Sequence, residues 1–136
     1  MTSKSDIKKV CLTNYLNQLS GFVEDLLIIC PSDQDLAKAK TYISTMSTMN
    51  PKALLQLWHT SISLKYNEEI EKGDITFAIK KDYTDDVKAT GTEDEEYFLQ
   101  IIVKVKGILQ TLDKDQINII FKYLKNITKL TILYNQ

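Results

Sequence analysis

Arginine is absent from this 136-residue chain, and glycine (4), proline (2) and cysteine (2) are scarce. Few turn formers argue against an all-β sandwich or barrel and for long helices. The lack of arginine removes the planar fork that grips phosphates and guanine edges, which weakens a specific nucleic-acid reading. Two cysteines, Cys11 and Cys30, are too few for a disulfide framework and read as small hydrophobes. No apolar run approaches the length of a membrane span, and the polar N-terminus lacks a signal-peptide core. The expectation is an intracellular, reducing compartment. No zinc spacing, phosphate loop, nucleophile elbow or kinase signature is present. No cofactor, metal or small-molecule substrate is therefore expected.

What is present is helix punctuation. Ser32-Asp33-Gln34-Asp35, Thr92-Glu93-Asp94-Glu95 and Asp113-Lys114-Asp115-Gln116 each set a small acceptor three residues before an acid or amide. That is the capping-box spacing or a near variant. Asn50-Pro51 is a fourth start, an acceptor followed by proline at the first helical position. With 43% hydrophobic and 26% charged residues, the chain reads as one soluble helical domain over 1–136.

Periodicity gives five helices. The first runs from about Ser5 to Ile29, with Ile7, Val10, Cys11, Tyr15, Leu19, Phe22, Val23 and Leu26 on one stripe. Leu27, Ile28 and Ile29 predict an end buried all round, which would place this helix at the centre. Gly21 marks a kink or a close packing point. The second follows the Ser32 cap, with Leu36, Ala39, Ile43 and Met46 inward, and ends near Met49. The third begins at Asn50-Pro51 and carries Leu54, Leu57, Trp58, Ile62, Tyr66 and Ile70 to a Gly73 cap. The fourth opens on Glu93–Glu96 and buries Phe98, Ile101, Ile102, Val105, Ile108, Leu109 and Leu112; Gly107 within it predicts a close helix crossing. The fifth starts at Asp113 and carries Ile117, Ile120, Phe121, Leu124, Ile127, Thr131 and Tyr134. Residues 74–92 read as irregular, with Ile75–Ile79 either a helical turn or a brief strand; a helical turn or extended packing segment is preferred, since no second strand offers a pair. The fold class is an all-α bundle.

Charge is uneven. Residues 67–96 hold four lysines against eleven acids, and residues 97–136 hold six lysines against two acids. Lys122, Lys125 and Lys129 form a separate face of the last helix, readable as a solvated face or as a phosphate-binding stripe. Asp82, Asp85 and Asp86 lack the ligand alternation and central glycine of a calcium loop, so they read as a solvated acidic loop. The single histidine, His59, has no sequence partner for a metal or nucleophile site, and a small enzyme built near it is the least favoured alternative. Aromatics concentrate binding energy. Trp58, Tyr66, Phe77 and Tyr83, with Asp82, Asp85 and Asp86, are thus candidates for a partner-binding surface as well as for core and caps.

The block Asn50-Pro51, Trp58, then Tyr66-x-x-x-Ile70-x-x-Gly73-Asp74-x-x-Phe77 and Lys81-Asp82-Tyr83 resembles short uncharacterised proteins encoded by large DNA viruses of algae and protists. The close, Leu124-x-x-Ile127-Thr128-Lys129-Leu130-x-x-Leu133-Tyr134-Asn135, is similar to the ends of those proteins. Ala78 departs from the pattern, standing where that group carries a second aromatic. The resemblance implies an infected cell or a virion as the setting and brings no activity or catalytic residue. The function expected is a non-enzymatic module that binds a protein partner or itself. The alternative is a nucleic-acid accessory protein using the basic last helix.

Overall fold

A computed structural model of the chain describes residues 3–73 and 93–136. All regular structure among the described residues is helical. Helix α1 spans Lys4–Ile29, α2 Gln34–Met49 and α3 Pro51–Trp58. A π-helical turn, His59–Ser63, joins α3 to α4, Leu64–Glu71. Helix α5 covers Glu93–Leu109 and α6 covers Lys114–Tyr134. Counting α3, the π turn and α4 as one rod, the expected five-helix, all-α architecture is observed. The expected irregular segment 74–92, including Ile75–Ile79 and the Thr92 cap, lies outside the described residues.

The termini follow from local chemistry. Asn50 ends α2 and starts α3: its N–H donates to the Met46 carbonyl at 2.8 Å, and its side chain accepts from the Ala53 N–H at 3.3 Å. Pro51 then takes the first position, where no N–H is needed. Asp113 and Gln116 close a reciprocal capping box, at 2.8 and 3.2 Å. Gly73 has φ of 72°, the left-handed conformation expected of a helix-ending glycine. The cap of α2 departs from expectation. Asp33, not Ser32, accepts from the Leu36 N–H at 3.1 Å. The same carboxylate lies 2.8 Å from Lys104 Nζ on α5, so it caps and pairs at once, which the Ser32 hydroxyl cannot do. Lys104 and the Leu36 amide hold the Asp33 carboxyl below its usual range.

Packing is organised by α1 and α6, which run antiparallel: Lys8 sits over the Tyr134 ring, Asn126 donates to Gln18, and Tyr123 Oη donates to Asp25 Oδ2 at 2.7 Å. Gly21 is the close packing point anticipated. A Cβ there would come within 3.2 Å of the Tyr123 hydroxyl. Tyr15, fully buried, donates to the Leu54 carbonyl at 2.8 Å and fixes α1 to α3. Burial pushes its phenol pKa up. Tyr42 ties α2 to α5: its ring meets Tyr97 edge-on and its hydroxyl donates to Asp94 at 3.3 Å. One hydrophobic cluster draws residues from all six helices.

Four further expectations are corrected. The end of α1 is not buried all round, and α1 is not a central helix. Ile28 is 77% exposed and continues the solvent stripe of Asn14, Asn17, Ser20 and Glu24 at three- and four-residue steps. Helices α2, α3 and α6 cover α1 on the other arc. Ile7 and Val10, expected inside, are exposed on the first turns. Gly107 makes no close crossing either: a Cβ there would meet nothing within 4 Å. An exposed helical glycine with open space around it weakens the helix, by about 1 kcal/mol relative to alanine. Gly107→Ala is therefore expected to stabilise the protein by roughly 0.5–1 kcal/mol, read as a higher urea midpoint with an unchanged slope. A lower midpoint would show that α5 is approached more closely there.

Candidate functional site

The rod α3–π–α4 lies antiparallel against α6, and the chemically distinctive residues gather along this contact. Its apolar residues Leu54, Trp58, Ile62, Tyr66 and Ile70 recur at steps of four. At about 100° per residue, the sixteen steps from Leu54 to Ile70 would drift about 160° past four full turns. The π turn takes up part of that drift. The Leu64 N–H reaches back to the His59 carbonyl, five residues away, so one turn holds an extra residue. An extra residue withdraws about 100°, which keeps Tyr66 and Ile70 facing the core. It also turns three consecutive residues, Ser61, Ile62 and Ser63, inward together.

Two inward hydroxyl-bearing residues of α6, Thr128 and Thr131, face this turn. Trp58 Nε1 donates to Thr128 Oγ1 at 3.0 Å. Thr131 Oγ1 donates to the Thr128 carbonyl at 2.8 Å. A hydroxyl carries one proton, so towards Ser63 the Thr131 oxygen must accept. Ser63 Oγ, 2.6 Å away, is then the donor to Thr131. His59 Nδ1 lies 3.4 Å from the same oxygen, a contact whose direction follows the tautomer of the ring. Thr131 Oγ1 thus stands at the centre of three polar contacts. Among the described residues no buried side-chain nitrogen or oxygen is left without a partner.

Desolvation of the half-buried imidazole lowers the His59 pKa. The fold thus favours neutral His59. Its contribution to stability is present above the ordinary imidazole value of 6.5 and is lost as pH falls through 6.5 towards the lower folded value. Urea midpoints should fall between about pH 7.5 and about pH 5.5, and His59→Gln should remove part of that fall. An identical pH profile in the variant would mean the ring titrates as if in water.

Chemically, this constellation joins helices. Ser63 is 1% exposed and its proton is committed to Thr131, so it does not present a nucleophile to solvent. Among the described residues no carboxylate is bonded to the ring of His59; its partner is a threonine hydroxyl. Cys11 is buried on α1, and Cys30 is half-buried at the end of the same helix; both are free thiols. Among the described residues no group of three histidine, cysteine or acidic side chains could hold a metal ion.

The residues singled out in the sequence separate into three sets. Trp58 and Tyr66 are core residues, 1% and 8% exposed, and their rings offer no surface to a partner. Trp58 is enclosed edge-on by Phe22 and Phe98. Phe77, Asp82, Tyr83, Asp85 and Asp86 lie outside the described residues. Lys122, Lys125 and Lys129 are exposed on α6, as expected. They border two adjoining hollows. The larger, about 510 Å³, runs between α4 and α6 and is lined by Asn67, Ile70, Glu71, Lys125, Lys129 and Leu133 among others. The second, about 420 Å³, shares Lys125 and adds Lys72, Gly73, Asn118, Phe121 and Lys122. Sequence reading missed both the hydroxyl cluster and the furrow. The strict four-residue spacing from Leu54 to Ile70 was the signal for the π turn, since a plain α-helical stripe alternates steps of three and four.

No family model, curated protein or solved structure matches this chain. Among the described residues no helix is long and apolar enough to cross a membrane.

Proposed function

We propose that this chain is a non-enzymatic module that binds a protein partner or assembles with itself. The observation that carries this reading is the furrow between α4 and α6, which combines apolar residues with flanking lysines on the outside of the bundle. The polar groups of the neighbouring π turn, by contrast, are spent on one another. Opposite charge on different parts of one chain supports the reading too, since it steers association and sets orientation. The setting proposed with it, the interior of an infected cell or a virion, rests on the sequence resemblance to proteins of large DNA viruses alone. Light scattering over a range of concentrations, with cross-linking in the native host, tests it. The expected result is a defined oligomer or a stoichiometric partner. A strict monomer without a partner, together with turnover of a small substrate, would defeat it.

A second reading, a nucleic-acid accessory protein, draws on the exposure of Lys122, Lys125 and Lys129 beside Lys72. Mobility-shift affinity for DNA or RNA would then drop steeply from low to physiological salt, as counterions cease to drive binding. Absence of a shift at low salt ends that reading.

A further inference from the structure

We propose, on the basis of the protein-binding reading above, that the furrow between α4 and α6 takes an acidic amphipathic helix of a partner protein. Three features define the occupant. The first is charge: among the described residues, Lys72, Lys122, Lys125 and Lys129 are all exposed along the two joined hollows, against one acid, Glu71. The second is an apolar strip. Leu133 is 37% exposed, and half-buried Ile132 lies beside it with Ile70 beneath. A purely ionic ligand would leave that strip wet.

The third feature is spacing. Lys122, Lys125 and Lys129 are three and four residues apart on one helix, so they stand about 4.5 and about 6 Å apart along its axis. Acids at three- and four-residue steps on a partner helix repeat at the same intervals. Same-side residues of an extended strand repeat at about 6.6–6.8 Å and fall out of step. A helix laid in the furrow thus places its apolar stripe on Leu133 and Ile132 and its carboxylates against the lysines. Nucleic acid fits less well. The chain has no arginine, and Phe121, the one aromatic among the described residues lining the two hollows, is buried and cannot stack on a base.

The probe is a synthetic helix-forming peptide of roughly four turns, with leucine on one stripe and glutamate elsewhere, followed by fluorescence anisotropy with the full chain. A scrambled peptide of equal composition and a single-stranded RNA homopolymer serve as comparisons. The amphipathic peptide is expected to bind at least about tenfold more tightly than the scrambled one. Lys125→Glu with Lys129→Glu should weaken binding at least about tenfold, and Leu133→Ser roughly fivefold. Lys4→Glu with Lys9→Glu makes the same charge change on α1 and should leave binding within about twofold. Matching denaturation midpoints confirm that the variants fold. Equal binding of the scrambled peptide or RNA, or indifference to Leu133→Ser, overturns the proposal by revealing a mere polyanion surface. If a native partner or self-association survives the double lysine reversal, the module reading stands and the furrow assignment falls.

Discussion

Trp58→Ala is expected to destabilise the protein by about 3–5 kcal/mol, the range for removing a large aromatic from a packed core. Trp58 is 1% exposed at the junction of α1, α3, α5 and α6. Its ring meets Phe98 at 5.8 Å and Phe22 at 6.5 Å between centroids, both edge-on, and such pairs add to the area they bury. Removing it also takes the donor from Thr128 Oγ1. Domains of this kind unfold with about 5–15 kcal/mol, so the variant would sit near the edge of folding at room temperature. Trp58→Phe, which keeps a ring but not the N–H, should lose less. Urea titration by circular dichroism measures both. The single tryptophan gives a clean second readout in the parent, with emission characteristic of an apolar site that shifts red on unfolding. A loss below about 1 kcal/mol would place the ring outside the core.

Thr131→Val should cost about 1–3 kcal/mol although valine has almost the same shape. The substitution deletes the oxygen that both Ser63 and His59 contact and the donor to the Thr128 carbonyl. Ser63 Oγ is too deeply placed to find water instead. The sharper measurement is a double-mutant cycle. Thr131→Val with Ser63→Ala removes both ends of the 2.6 Å contact, so the pair should be less damaging than the sum by about 0.5–3 kcal/mol. Strict additivity would show that the two hydroxyls do not share a hydrogen bond. Thr131→Ser keeps the oxygen and should retain the coupling while losing a methyl group.

Helix ends were legible because their chemistry is local. Asn50, Asp113 and Gly73 act through groups within three or four residues, and those are written side by side in the chain. The sequence points to Ser32 as the cap of α2; the second partner of Asp33, Lys104, comes from a helix about seventy residues away and is not written beside it. The inward sense of Ile28 and the crossing at Gly107 failed for a related reason. A helix's own sequence shows which residues share a face, but its neighbours decide how wide an arc is covered.

The candidate site was legible in part. Lys122, Lys125 and Lys129 were found because a charged face needs no partner to be recognised. Trp58 and Tyr66 could be read as surface or core, because an aromatic on a stripe looks the same in both. Thr131 stands on the apolar stripe of the last helix in the sequence, but Thr128, Ser61 and Ser63 escape notice because hydroxyls are expected outside; only their pairing makes burial tolerable.

The extra residue at His59–Ser63 makes chain length itself a structural determinant. Between Trp58 and Tyr66 the number of residues matters as much as their identity, because the helices on both sides of the π turn pack against α6. Excising one residue there would let the backbone close into an ordinary helix while swinging everything after it by about 100°, carrying Tyr66 and Ile70 out of register with α6. A side-chain exchange in this stretch removes the contacts of one residue, whereas a lost codon would be felt along the whole of α4 and at the furrow it borders.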